Sequence, residues 1–208
     1  PLLKQGYAVT LVAPDVCTEW DKIGKEDIKD VNIKYVNMRP NSLNPIWDIL
    51  LFLQYFTLFR KEKPDVVINY TIKPNIYSSF AADLNNCNTI CMVAGLGYMF
   101  KGNSILKRFG RWLYKKGLSK AIKVFTLNQE NHKILIEQKI VNSEKLILLH
   151  GGEGVNLSKY KYTNSDFSSK TTFLMISRIL YDKGYSEFVE AAKTIKQEYK
   201  DFVSFELL

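Results

Sequence analysis

The sequence has no apolar run of the roughly 18 residues that a membrane-spanning helix needs, so no transmembrane helix is expected. It also shows no basic stretch leading into an apolar core, the mark of a secretory leader. Histidine is scarce, with two in 208 residues, and the three cysteines, Cys17, Cys87 and Cys91, are scattered. Such a set has no metal-ligand spacing, which argues against a structural zinc, and no metal or cofactor is expected. An odd, sparse set of cysteines without a leader reads as reduced thiols in a cytosolic setting. Internal repeats, low-complexity tracts and nucleic-acid-binding motifs are missing as well, so a nucleic-acid partner is not expected.

Acidic residues are missing from one place in particular. Between Lys101 and Lys123 there are eight basic residues and no acidic one. The chain carries 29 basic and 21 acidic residues, so this stretch holds the entire net charge of +8. Within it, 103–118 has helical spacing, with Ile105, Leu106, Phe109, Trp112 and Leu113 recurring and Lys107, Arg108, Arg111 and Lys115 between them. A basic amphipathic helix with a tryptophan on its apolar side is the pattern of a segment lying on an anionic membrane surface. The same pattern fits a surface helix whose apolar stripe faces a core. Gly110 and Gly117 weaken the helix slightly on either reading.

The rest of the chain alternates strand and helix, which predicts an α/β fold with parallel, doubly wound sheets. Strands are expected at 7–13, 31–36 (a short edge strand), 65–70, 89–93, 121–127, 145–149, 171–176 and 202–207. Continuous apolar strands suit a sheet covered on both faces. Asn44-Pro45 predicts a helix start, with Asn as N-cap and Pro in the first turn, and Pro64 predicts its end. That helix is apolar on nearly all sides: it either packs in a core or turns an aromatic edge to lipid or a lipid-like acceptor. Further helices are expected at 76–84, at 128–139 with Asn128 as N-cap, and at 185–200. The opening residues read as the end of a helix stopped by Gly6 and the last as an unfinished strand, so the sequence is expected to be a piece of a longer chain.

Ligands in open α/β sheets bind outside the carboxyl ends of strands. Lys73 and Asn75, after the strand at 65–70, are candidates for such contact, although a turn-and-cap role fits Asn75 equally. Gly95 and Gly97 permit close backbone approach or positive φ. Gly151, Gly152 and Gly154 form a glycine-rich turn, read either as a loop approaching a ligand or as a flexible turn, and Glu153 between them either binds a hydroxyl or is solvated. Further on, Arg178 and Lys183 stand at the mouth of a strand–loop–helix unit. Two cations beside a helix N-terminus suit a diphosphate; the alternative is a surface ion pair, for example with Asp182.

Several strings together carry a resemblance. GGEGVNLSKY followed by MISRILYDKGYSEFVEAA resembles the hinge and nucleotide-site entry of family 4 retaining glycosyltransferases of the GT-B fold. YTIKPNIYSSFAA and VAGLGYMF resemble the members that build capsule, O-antigen and other lipid-linked glycans in bacteria, with the nearest likeness to N-acetylgalactosaminyl- or galactosyltransferases acting on undecaprenyl-diphosphate-linked sugars. The resemblance covers essentially the whole chain. It implies two Rossmann-like domains, here 1–165 on the acceptor side and 166–208 as the start of the nucleotide-sugar domain. It places Arg178 and Lys183 on the donor diphosphate and implies a nucleotide-diphosphate sugar, a UDP-sugar by expectation, and a lipid-linked glycan acceptor. The location implied is the cytoplasm, on the inner face of the membrane, where Lys107, Arg108, Arg111, Trp112 and Lys115 would meet the surface. The family's first strand belongs ahead of Pro1 and its E-x7-E element beyond Leu208. Many members carry a histidine where this sequence has Val93-Ala94-Gly95, so no catalytic residue is assigned. Rival readings are a sugar-nucleotide epimerase on the same fold and a non-catalytic binding module.

Overall fold

A computed structural model describes residues 2–15, 30–40, 42, 44–100, 102, 104–164, 170–177, 179 and 183–208. The chain divides into two compact units, Pro1–Gly154 and Val155–Leu208. This division falls eleven residues before the 165/166 boundary read from the sequence, which lies inside the second unit.

In the first unit, β1 (Thr10–Pro14) pairs in parallel with β2 (Asn32–Val36), Thr10 opposite Asn32. A separate four-stranded parallel sheet runs in the order β3 (Val66–Tyr70), β4 (Asn88–Val93), β5 (Lys123–Thr126), β6 (Leu146–Leu148). Each strand of that sheet leads into its neighbour through a helix, the arrangement that parallel pairing requires. The first strand starts three residues later than the apolar run at Tyr7 suggests. Val9 only lends its carbonyl to the Asn32 N–H. Fraying of this kind also trims the expected strands at 121–127 and 145–149; Ser143–Lys145 is a 3-10 turn instead.

The helix α1 (Pro45–Glu62) begins and ends as its sequence dictates. The Asn44 side chain accepts the Ile46 N–H at 3.0 Å, and Lys63 takes the left-handed conformation just before Pro64. Leu51, Tyr55 and Phe59, four residues apart, are its buried stripe. They join Val36 of β2 and Ala81 and Ala82 of α2 (Ser79–Leu84), with Val12 and Val67 packed alongside. One helix thus roofs both the β1–β2 pair and the β3 edge. A second core lies beneath α3 (Ile105–Ser119) and α4 (Gln129–Glu137), where Cys91, Val93, Val124, Tyr114, Leu118 and Leu135 are almost fully buried. Burying a leucine completely contributes about 1.5–3 kcal/mol. α4 is capped by Asn128 as the sequence predicts, but it stops at Glu137, and Lys139 has positive φ.

On the edge strand β3, Val67 and Asn69 turn towards helices, whereas Val66, Ile68 and Tyr70 alternate to the other face and are exposed; further into the sheet that other face is covered, with Met92 buried and Ile90 and Phe125 half-buried. The helix expected from 76 also starts earlier, as a π-helical turn at Pro74–Ser78 that buries Asn75, Ile76 and Ser78. Gly117 explains why α3 can lie against that turn. A Cβ there would sit 2.7 Å from the Asn75 carbonyl oxygen and 2.8 Å from Ile76 Cα.

The second unit is a small βαβ arrangement. β7 (Thr171–Met175) pairs in parallel with β8 (Val203–Leu207), and α5 (Tyr185–Tyr199) connects them. Phe205 stacks on Phe173 at 4.9 Å and meets Phe188 edge-on at 5.7 Å.

Candidate functional site

The carboxyl ends of β3 to β6 bring together most of the first unit's sequence-predicted site residues. At the end of β3, Thr71 has φ 70°, a conformation that a β-branched residue rarely adopts, and it is solvent-exposed. Ile72 then approaches Gly97, where a Cβ would come within 3.3 Å of Ile72 Cδ1. The loops after β3 and β4 therefore touch, and Gly95 beside them has open space around it. After β6, the Gly152 N–H closes a turn on the Leu149 carbonyl at 3.2 Å. Gly151, Gly152 and Gly154 all have positive φ, which makes glycine the natural residue at this turn. The turn places the Glu153 carboxylate where its charge acts on Tyr70. Partial burial and then the Glu153 carboxylate both raise the Tyr70 hydroxyl above its ordinary pKa. Exposed backbone, a tyrosine hydroxyl and a carboxylate suit hydrogen bonding to hydroxyl groups; nothing in the group is an activated nucleophile.

Lys73 and Asn75 face inward. The Lys73 ammonium lies 2.6 Å from Asp48 Oδ1 and donates to the Ser42 carbonyl at 2.8 Å. The other Asp48 oxygen accepts from Tyr77 at 2.9 Å. Burial, then this bond, raises the Tyr77 pKa. The cluster fastens the start of α1 to the segment after β3. The Asn75 amide donates to the Met92 carbonyl at 3.0 Å and to the Tyr114 hydroxyl at 3.3 Å, while its Oδ1 is buried without a partner. Asn75 therefore braces β4 and α3 from beneath the site.

Sequence reasoning missed Asp48, Tyr70, Tyr77 and His132. His132 Nδ1 lies 3.1 Å from the buried Thr126 hydroxyl at the end of β5. An acid in the first turn of an otherwise apolar helix was the available signal for Asp48. Nothing in the sequence pairs Tyr70 with Glu153, which are 83 residues apart.

In the second unit Lys183 is exposed and immediately precedes Gly184, the N-cap of α5. Arg178 and Asp182 lie outside the described residues. Among the described residues, no three His, Cys, Asp or Glu side chains gather in a way that could hold a metal ion.

The first half of α3 settles which way its apolar stripe points. Ile105 is 86% exposed, Phe109 57% and Trp112 52%, with Leu106 also exposed. Phe109 and Trp112 stack on each other at 5.7 Å. Only the second half, with Tyr114, Gly117 and Leu118, faces the core. Lys107, Arg108, Lys115 and Lys116 are on the same helix. Arg111 turns back to donate to the carbonyls of Met99 at 3.2 Å and Gly102 at 3.0 Å. No helix of the described residues is long and apolar enough to cross a membrane.

Comparison with known proteins places this fold. A family model described as "Glycosyl transferase 4-like" matches residues 1–128. No curated protein matches the sequence. Among solved structures, the chain is similar to MurG of Acinetobacter baumannii, with 12% identity, a TM-score of 0.53, and coverage of 100% of this chain and 59% of that one. It is similar to Staphylococcus aureus MnaA in its UDP co-structure, with 16% identity, a TM-score of 0.56, and coverage of 93% and 52%. It also resembles a putative UDP-N-acetylglucosamine 2-epimerase from Listeria monocytogenes, with 13% identity, a TM-score of 0.63, and coverage of 99% and 56%. The chain thus spans between half and three fifths of the length of these proteins. At such identities the likeness shows the fold, which is α/β of the GT-B type.

Proposed function

Since the chain belongs to the glycosyl transferase 4-like family, we propose that it serves retaining transfer of a sugar from a nucleotide diphosphate, a UDP-sugar, to a lipid-linked glycan acceptor in bacterial cell-surface polysaccharide synthesis. The observation that carries the acceptor class is the first half of α3, where exposed Ile105, Phe109 and Trp112 sit among basic residues without an acidic one. That face suits the anionic inner leaflet of a membrane, with the protein peripheral on its cytoplasmic side; each well-placed Lys or Arg contributes about 1 kcal/mol there.

The chemistry asked of the protein is electrostatic. As the acceptor hydroxyl forms its bond to the anomeric carbon, the glycosyl–phosphate bond breaks, and the leaving phosphate takes the hydroxyl proton. Negative charge grows on the diphosphate, and the cations Arg178 and Lys183 stabilise it more in the transition state than in the ground state. The helix N-terminus acts in the same direction. Glu153, the glycines at 151, 152 and 154, and the loop bearing Gly95 and Gly97 offer hydrogen-bonding surface to sugar hydroxyls. No metal or cofactor is part of this scheme.

The UDP in the MnaA structure and the UDP-sugar in the name of the Listeria protein support UDP as the nucleotide. The same likeness favours one second reading, a sugar-nucleotide epimerase. The two separate in a single assay on the full-length enzyme: a transferase releases UDP in proportion to added lipid-linked acceptor, whereas an epimerase converts the UDP-sugar with no acceptor present. Under the transferase reading, Arg178→Ala and Lys183→Ala each lower turnover on the order of 10²-fold or more. Near-wild-type turnover in both variants removes the donor assignment.

A further inference from the structure

The first half of α1 carries an exposed stripe that the function above does not use. Ile46 is 63% exposed and Ile49 60%, and Leu50 and Leu53 are also exposed. Their spacing of three and four residues puts them on one face of the helix, opposite the buried Leu51, Tyr55 and Phe59. The only acid in these turns, Asp48, is neutralised internally by Lys73 and accepts a hydrogen bond from Tyr77. The stripe itself is thus uncharged, and among the described residues the one cation beside it is the Arg39 guanidinium, 3.5 Å over the Trp47 ring.

The position of the stripe gives it meaning. Asp48 fastens the start of α1 to the π-helical turn after β3, and Asn75 and Ile76 of that same turn lie against Gly117 of α3. Both helices also pack on the intervening turn and α2. α1 and α3 each run away from the carboxyl end of the sheet, so their exposed first halves share the outer surface of one helical layer at one end. α3 offers apolar side chains with a strong positive charge; α1 offers an apolar stripe flanked by a cation, Arg39.

We propose that the first half of α1, through Ile46, Ile49, Leu50 and Leu53, inserts into the same anionic lipid surface that the first half of α3 engages, giving the protein a two-helix footing in place of a single basic helix. The inference rests on the membrane reading of α3. Charge selects the occupant. A second copy of this chain related by a twofold axis would bring like-charged α3 segments, which contain no acid from 101 to 123, towards each other. An anionic bilayer complements them and accepts the uncharged α1 stripe.

The experiment is vesicle flotation of the protein, with vesicles of 70% phosphatidylcholine and 30% phosphatidylglycerol compared with pure phosphatidylcholine, at low and high salt. One variant carries Ile49→Asp with Leu53→Asp, and a second carries Lys107→Gln, Arg108→Gln and Lys115→Gln. Circular dichroism checks folding, and Ile49→Ser with Leu53→Ser replaces the first pair if it fails to fold. The α1 variant is expected to bind at least tenfold more weakly with its salt dependence retained, and the α3 variant to lose both binding and salt dependence. Wild-type binding by the α1 variant together with loss in the α3 variant overturns the α1 inference and leaves α3 docking in place. Wild-type binding by both removes membrane docking altogether. If the α1 substitutions instead split an oligomer while vesicle binding is unchanged, the stripe is a contact between copies and the inference fails.

Discussion

A methyl group on Gly117 would lie 2.7 Å from the carbonyl oxygen of Asn75, closer than side-chain carbons come to backbone oxygens. The clash is with backbone on both counts, since Ile76 Cα is 2.8 Å away, so relief requires α3 or the π-helical turn to move. Gly117→Ala is therefore expected to destabilise the first unit by about 1–3 kcal/mol despite the better helix propensity of alanine. Gly110→Ala is the control. Its Cβ would meet only the flexible Met99 side chain, at 2.6 Å from the sulfur, which can turn aside. Its expected effect is neutral to about 1 kcal/mol stabilising. Urea midpoints of the two variants decide it, and an equal loss in both would show that the close approach is not what fixes residue 117.

Asp48 and Lys73 form an ion pair with most of both side chains covered. Removing the carboxylate leaves a cation and the Tyr77 hydroxyl facing each other. Asp48→Asn is expected to cost about 3 kcal/mol, the range for breaking a buried pair from one side. Adding Lys73→Met should recover a large part of that loss, because the uncompensated charge goes with it. A double-mutant cycle measured by thermal unfolding gives the coupling, and simple additivity of the two substitutions would contradict the pairing.

Burial pushes the Cys91 thiol up to about 11, although hydrogen bonds with Ser79 and Asn69 act in the opposite direction. An unfolded thiol ionises near 8.5. The folded state thus holds its proton where the unfolded state loses it. The stability from the protonated folded thiol is fully present below about pH 8.5 and is lost as pH rises towards 11. At pH 10 the loss is about 1–2 kcal/mol. Buried Tyr114 and Tyr55, also raised by burial, add to it at higher pH. Urea unfolding at pH 7.5 and 10 measures the change. Cys91→Ala should flatten the slope, and an unchanged slope would mean that Cys91 does not contribute to it.

The alternation of apolar strand and helix in the sequence is enough to reach parallel pairing, though not the strand order β3-β4-β5-β6, because each element declares its own period and caps: Asn44-Pro45 and Asn128 start helices where the structure starts them. What the sequence hides is contact at a distance. Lys73 reads as a cation at a strand end, yet Asp48, 25 residues earlier, takes it out of solvent. Gly117 reads as a weak point in a helix, but its role is set by the main chain at Asn75 and Ile76. The stripe on α3 is visible from spacing alone, while its direction is not. Periodicity says which residues share a face, and only packing says that Ile105 to Trp112 face away from the core. The glycines at 151, 152 and 154 are legible as a turn; that the Glu153 charge acts on Tyr70 depends on how β6 and β3 are set in one sheet.

Thr71 holds φ at 70° at the mouth of the site, where a β-branched side chain crowds its own backbone. Such strain costs about 1–3 kcal/mol and persists only where the surroundings impose it. Here they do: the Thr71 carbonyl accepts the Asn75 N–H at 3.1 Å, which opens the π-helical turn, and β3 ends one residue before. Asparagine tolerates this conformation far better. Thr71→Asn is therefore expected to raise stability by about 1 kcal/mol, seen as a higher thermal midpoint. If the threonine side chain serves the acceptor, the same substitution in the full-length enzyme lowers kcat/KM while the protein becomes more stable. A lower midpoint would show that Thr71 makes compensating interactions in this conformation and that the strain is not relieved by asparagine.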